Sequence, residues 1–197
     1  LNPKTTHIQF EGIESMEFFT EYIYVDRDLE KAERVAKGLI RKFGENVYEH
    51  LTYILCDGSE DRADVFYHVV ELGMALKYPE TIFNNLGNSW VMRGFEMKRR
   101  ASREIFHLLG FLRFEELKNG ILFAKIHPKA DSLLFIARHF ADRLPSENFV
   151  IYDTKRKKCV IHPCREQWYL RIDVEPEDFT SLEESDTQQF FELLFRE

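Results

Sequence analysis

RRASREIFHLLGFLRF, residues 99–114, is the stretch on which the fold turns, because the hydrophobic period changes inside it. Numbered as a helix, Val91, Phe95, Ser102, Ile105, Phe106 and Leu109 fall on one side at three- and four-residue spacing, while Arg100, Arg103 and His107 line another. Gly110 stands where such a helix would reach its C-cap, since glycine accepts a left-handed backbone at little cost. Beyond it Phe111, Arg113 and Glu115 alternate with Leu112, Phe114 and Glu116, the period of a strand. The expected order is helix, stop, strand.

Before residue 110 the spacing is helical. Leu29 to Phe43, Val47 to Leu55, Arg62 to Tyr78 and Ser89 to Leu109 each carry it, with Asp26 or Asp28, Asp61 and Asn88 in N-cap positions and Gly44 and Gly58 near ends. After it, Phe111 to Leu117 and Ile121 to Ile126 flank Lys118-Asn119-Gly120, whose Asn-Gly pair supplies the positive backbone angles of a tight hairpin. Asp131 to Leu144 reads as a helix, Phe149 to Asp153, Cys159 to His162 and Gln167 to Ile172 as strands, and Asp186 to Phe195 as a closing helix. The expected fold class is therefore α+β. It comprises an N-terminal helical lobe (about 1–110) packed on a mainly antiparallel sheet with one inserted helix and a C-terminal helix (about 111–197), all within a single domain of 197 residues.

Charge is unevenly spread. Residues 91–171 hold 17 Lys+Arg against 9 Asp+Glu, whereas 1–90 hold 9 against 16 and 172–197 hold 1 against 9, which together give the net charge of −7. A basic middle lies between acidic ends, and polyanion binding answers to the local field rather than to the total. The ordinary alternative is a solvated charged helix face.

Several classes are unsupported. No stretch approaches the ~20 apolar residues of a membrane span, so no membrane partner is expected and a cytoplasmic location is. No phosphate-binding glycine loop surrounds Gly110 or Gly120, and no serine nucleophile elbow is present. Cys56, Cys159 and Cys164 are an odd, scattered set that argues against a disulfide framework. Cys159 and Cys164 flank His162, but no second pair completes a zinc set, so no metal and no cofactor is expected.

Three blocks carry a family resemblance. Arg103, Glu104 and His107 lead into Gly110-Phe111-Leu112-Arg113-Phe114; Ala137-Arg138-His139-Phe140-Ala141-Asp142-Arg143 follows; then comes Phe149-Val150-Ile151-Tyr152-Asp153-Thr154-Lys155-Arg156. In this order the chain resembles the bacterial family of probable DNA metabolism and DNA repair proteins, a domain of unknown function. The resemblance is specific over about residues 90–160 and weaker from Asp28 and to Arg196. It implies a DNA partner, and a radical SAM protein or a fused uracil-DNA glycosylase-like domain as protein partner; single-stranded DNA is suggested instead by the aromatics set beside Arg and Lys in the expected strands. Any iron-sulfur chemistry would belong to that partner, because the radical SAM cysteine triplet is absent from this sequence. Family members carry an aromatic, Gly-containing segment upstream and a basic, Pro- and aromatic-containing tail downstream, so a missing piece is expected at each end.

Candidate residues follow from the basic and histidine pattern. Arg99, Arg100, Arg103, Arg113, Arg143, Lys155 and Arg156 are candidate nucleic-acid contacts. His107, His139 and Asp153 are candidate acid/base groups, His107 being equally able to complement the helix dipole. His139 and Arg143, four apart, share the face of the inserted helix opposite Leu133, Ile136 or Ala137, and Phe140. Asp153 is placed to orient Arg156. Strand aromatics Phe111, Phe114, Phe123, Phe149, Tyr152, Trp168 and Tyr169 offer stacking surfaces or core, the latter favoured by the inside preference of Phe.

Three functions fit this pattern. The first is a DNA metabolism or repair accessory protein that binds DNA through the basic face. The second is a DNA-damage-processing enzyme in which His107 and Asp153 converge on one aromatic cavity. The third is a protein-interaction scaffold whose acidic ends, Asp173 to Glu184 especially, neutralise the basic middle.

Overall fold

Asp28 is the N-cap of the first helix, its carboxylate accepting the Lys31 N–H at 2.9 Å. In this computed structural model, which describes residues 6–10, 18–118, 120–175 and 179, helices and a five-stranded sheet divide the chain into two compact units. The units are 1–102 and 103–197, and the division falls inside one helix, between Ser102 and Arg103.

The first unit is helical. α1 (Leu29–Phe43) and α2 (Glu45–Cys56) are joined at Gly44, whose φ of 81° is the positive angle only glycine takes without strain. α3 (Arg62–Ala75) follows, then a 3₁₀ turn (Pro79–Asn84), and then α4 (Ser89–Phe111). The Asn88 side chain caps α4 by accepting the Trp90 and Val91 N–H groups. Phe43, Leu51, Ile54, Val65, Val69, Ile82, Val91 and Met97 form one core.

The helical expectation for Arg62 to Tyr78 is corrected by three residues. α3 stops at Ala75 and Leu76 is extended, because a proline at 79 starts a separate 3₁₀ turn and disfavours helix just before it. The buried stripe of α4 also differs from the expected side. Val91, Gly94, Met97, Ala101 and Ile105 are buried, whereas Phe106 is exposed.

The second unit is a sheet in the order β1-β2-β3-β4-β5. β1 (Glu115–Glu116), β2 (Leu122–Ile126), β3 (Phe149–Asp153), β4 (Lys158–His162) and β5 (Tyr169–Arg171) pair antiparallel, except that β2 and β3 are parallel. A parallel pair needs a crossover, and α5 (Leu133–Arg143) supplies it. With helices toward the N-terminal side and a mainly antiparallel sheet, the fold is mixed α and β.

Register sends alternate side chains to opposite cores. Phe149, Ile151 and Val160 pack with Leu133, Ile136, Ala137 and Phe140 of α5. Phe123, Val150, Tyr152, Cys159 and Ile161 pack with Val174 and Phe179 on the other face. Tyr152 donates its hydroxyl hydrogen to the Val174 carbonyl at 2.9 Å, tying the segment after β5 to that face.

The expected helix stop at Gly110 does not occur. α4 continues to Phe111, Gly110 lacks a positive φ, and the strand expected over Phe111 to Leu117 shortens to Glu115–Glu116. The Leu112 N–H still donates to the Leu108 carbonyl at 2.9 Å, so helical bonding carries the chain past the glycine. The hairpin after β1 does form, with Gly120 at φ 78°. The closing helix expected over Asp186 to Phe195 lies outside the described residues.

Candidate nucleic-acid interface

The last turn of α4 and the start of the sheet enclose an open groove of about 530 Å³. His107, Phe111, Arg113, Lys125 and His127 supply its polar and aromatic wall, and Leu108, Leu112, Leu117, Phe123 and Ile126 its apolar floor. Glu115 is its single acid. His107 stacks on Phe111 with ring centroids 4.8 Å apart, and the Lys125 ammonium lies 5.6 Å from the Phe123 ring centroid. The His127 Nδ1 is 2.8 Å from the Thr154 hydroxyl. All these residues belong to the second unit.

Phe111 is the informative aromatic. It is 67% exposed beside cations that have no ion-pair partner among the described residues, whereas Phe149 and Tyr152 are fully buried and Phe114 packs against Phe140 and Phe149. Of the strand aromatics offered by the sequence, the others named here are core or partly buried, and Phe111 itself stands on the helix rather than in a strand.

The candidate cations separate into two kinds. Arg100 is committed: its guanidinium holds Asp57 by two hydrogen bonds of 3.1 and 2.9 Å and also reaches the Ser59 hydroxyl at 3.0 Å. Burial alone would push the Asp57 carboxyl up, but the hydrogen bonds from Arg100 and Ser59 outweigh it and hold the carboxyl below its ordinary value. Arg156 is committed too, donating to Asp153 Oδ2 at 3.0 Å and to the carbonyls of Pro128 and Lys129 at 3.3 and 2.7 Å. Asp153, with no exposed surface, also accepts the Lys155 and Arg156 N–H groups, so it organises the turn after β3. Lys158 pairs with Asp131 and Lys157 with Glu175 at 2.6 Å each. The Lys155 to Lys158 cluster is thus mostly internal structure, with Lys155 exposed and unpaired among the described residues.

Arg99, Arg103, Arg113 and Arg143 are exposed and have no ion-pair partner among the described residues. Next to Arg103, Glu104 accepts the Lys129 and Ala130 N–H groups at 2.8 and 2.7 Å, the same segment whose carbonyls hold Arg156. His139 is not a plain surface group. It meets the edge of Phe140, and its Nε2 is buried without a hydrogen-bond partner among the described residues.

His107 lines the groove and Asp153 does not; the register puts Asp153 on the α5 side of the sheet, with Ile151. The two are not brought together in that cavity. Lys125 and His127, which the sequence reading passed over, complete the groove. The alternation of Phe123 and Lys125 on one strand face was the available signal, but it gained meaning only when α4 ended beside it. Cys159 is buried in the sheet core and His162 bonds the Glu147 carbonyl at 2.9 Å while stacked on Phe149, so both are structural.

Among the described residues no helix is long and apolar enough to cross a membrane. Residues 60–197 match the family described as Domain of unknown function, DUF4130. No curated protein and no solved structure matches the chain.

Proposed function

The chain belongs to the DUF4130 family, and from that premise we propose that it is a DNA metabolism or repair accessory protein that binds DNA at the α4–β2 groove, for a radical SAM or glycosylase-type partner. The observation that carries the reading is the exposed His107–Phe111 stack set beside Arg113 and Lys125, which have no carboxylate partner among the described residues. An exposed ring accepts a base in stacking, and adjacent guanidinium and ammonium groups take its flanking phosphates. Unpaired single-stranded bases reach such a platform without opening a duplex, so single strands are the favoured ligand. Arg103, Arg143 and Lys155 add exposed positive charge elsewhere in the same unit.

The test is binding of single- and double-stranded DNA to the full chain at two salt concentrations, beside an Arg113→Ala/Lys125→Ala variant. Each lost phosphate contact should lower the slope of log affinity against log salt by about 0.7 on single strands. Binding that ignores salt, or that the double variant leaves unchanged while folded, would overturn the reading.

One observation favours the scaffold alternative: Glu175, at the start of the acidic C-terminal run, already pairs with Lys157. Under that reading no DNA is bound at low salt by the folded chain, and a co-purifying protein is.

A further inference from the structure

In the helical unit, three side chains of ligand type converge where segment 6–10 meets α3. His7, Asp64 and His68 each offer a donor atom, and all three atoms lie within 4.8 Å of one another. Asp64 and His68 stand four apart on α3 and so share a face, while His7 arrives from 57 positions earlier. The His7 Nδ1 is 3.0 Å from Asp64 Oδ2, and the Ile8 N–H donates to Asp64 Oδ1 at 3.1 Å. The backbone thus fixes the carboxylate and leaves Oδ2 directed at the histidine.

His68 adds an independent observation. It is more than nine-tenths buried, with Nε2 3.6 Å from Asp64 Oδ1 and Nδ1 3.8 Å from Glu71 Oε2, both beyond hydrogen-bonding distance. Its ring is held flat against Trp90, with centroids 4.2 Å apart. That stack fixes the imidazole plane beside the Asp64 carboxylate.

We propose that His7 Nδ1, His68 Nε2 and the Asp64 carboxylate bind a divalent transition-metal ion. Two imidazoles and one carboxylate select the zinc and ferrous class over magnesium or calcium, which prefer oxygen shells. Such donors sit about 2.0–2.2 Å from the ion and therefore about 3.3 Å apart in a tetrahedral shell. The carboxylate already approaches this, with His7 Nδ1 3.0 Å from its Oδ2 and His68 Nε2 3.6 Å from its Oδ1, and His7, two-thirds exposed, can close the remaining gap by side-chain rotation. Glu71, near the Nδ1 of His68, is placed to orient that ring from outside the shell. Three protein ligands leave coordination positions open for water or a small anion. Asp64 and His68 lie within the residues matched by the family, and His7 lies outside them.

The experiment titrates the chelator-treated full chain with cobalt(II), read by visible absorption, and with zinc(II) by competition. The expected result is one saturable equivalent, displaced by zinc and indifferent to an equal concentration of magnesium. His7→Ala and Asp64→Asn should each weaken binding at least about tenfold. His7 is exposed, so its variant keeps the fold, checked by circular dichroism; His139→Ala is the control that should bind as the parent does. Absence of saturable binding by the folded chain, or unchanged affinity in His7→Ala, would overturn the proposal.

Discussion

Arg100 illustrates at the residue scale how a candidate contact becomes structure. It reads as part of a basic helix face, but its guanidinium is spent on Asp57. Removing it by Arg100→Ala leaves a buried carboxylate without its main partner, at an expected cost of about 1–3 kcal/mol at pH 7, measurable by denaturant unfolding. The pH dependence follows from the lowered Asp57 pKa. A carboxyl depressed on folding contributes stability above its unfolded value of about 4, and that contribution is lost as pH falls through the folded value. The gap between parent and variant should therefore be full at pH 7 and shrink on acidification below about pH 5. A gap that widens in acid would contradict the assignment. Asp153 calls for a larger effect: it is wholly buried and holds both Arg156 and two backbone N–H groups, so Asp153→Ala should cost about 3–5 kcal/mol. Arg113→Ala, by contrast, should leave the unfolding midpoint nearly unchanged while weakening DNA binding, because nothing among the described residues pairs with it.

At the scale of the element, α3 is positioned by a missing side chain. A Cβ added at Gly73 would collide with the ring of Phe43, itself almost fully buried. Helix propensity alone would make Gly73→Ala stabilising by about 1 kcal/mol. Overpacking against a ring that cannot withdraw should reverse the sign, giving a net loss of about 1–2 kcal/mol in thermal or denaturant unfolding. If Gly73→Ala raises the midpoint, Phe43 is free to move and the packing account is wrong. α5 and β3 behave differently, since their expected and observed bounds nearly coincide: β3 is Phe149–Asp153 in both readings, and α5 is Leu133–Arg143 inside the expected Asp131 to Leu144. Their hydrophobic runs are bounded by polar or proline-bearing segments, so local chemistry and tertiary packing agree.

For the whole molecule, a net charge of −7 coexists with an exposed cationic groove in one unit and a histidine–carboxylate cluster in the other. The two sites share no residue, so substitutions at Arg113 and Lys125 should leave cobalt binding unchanged, and His7→Ala should leave DNA binding unchanged. Overall acidity opposes approach of a polyanion. Affinity for DNA should consequently be modest and should fall steeply with salt, as filter binding or fluorescence anisotropy would register.

Period and punctuation in the sequence suffice for the class of fold. α1 is legible over Leu29–Phe43 with its Gly44 stop, because period and breaker are local, while the cap that the sequence leaves between Asp26 and Asp28 falls to Asp28 in the structure. The continuous apolar run Phe149 to Tyr152 marks a strand, but its division of Phe149 and Ile151 from Val150 and Tyr152 between two cores is seen only in the packing. What tertiary structure alone decided is which polar groups are already satisfied. Nothing local distinguishes Arg100 from Arg103, or Lys158 from Lys155, since the carboxylates that engage Arg100 and Lys158 are 43 and 27 positions away. Nor does the sequence bring His7 to Asp64 and His68, or end α4 beside Lys125, because those meetings depend on how separate elements pack. Secondary structure follows from neighbours along the chain; a site is made by groups that only folding brings within a few ångströms.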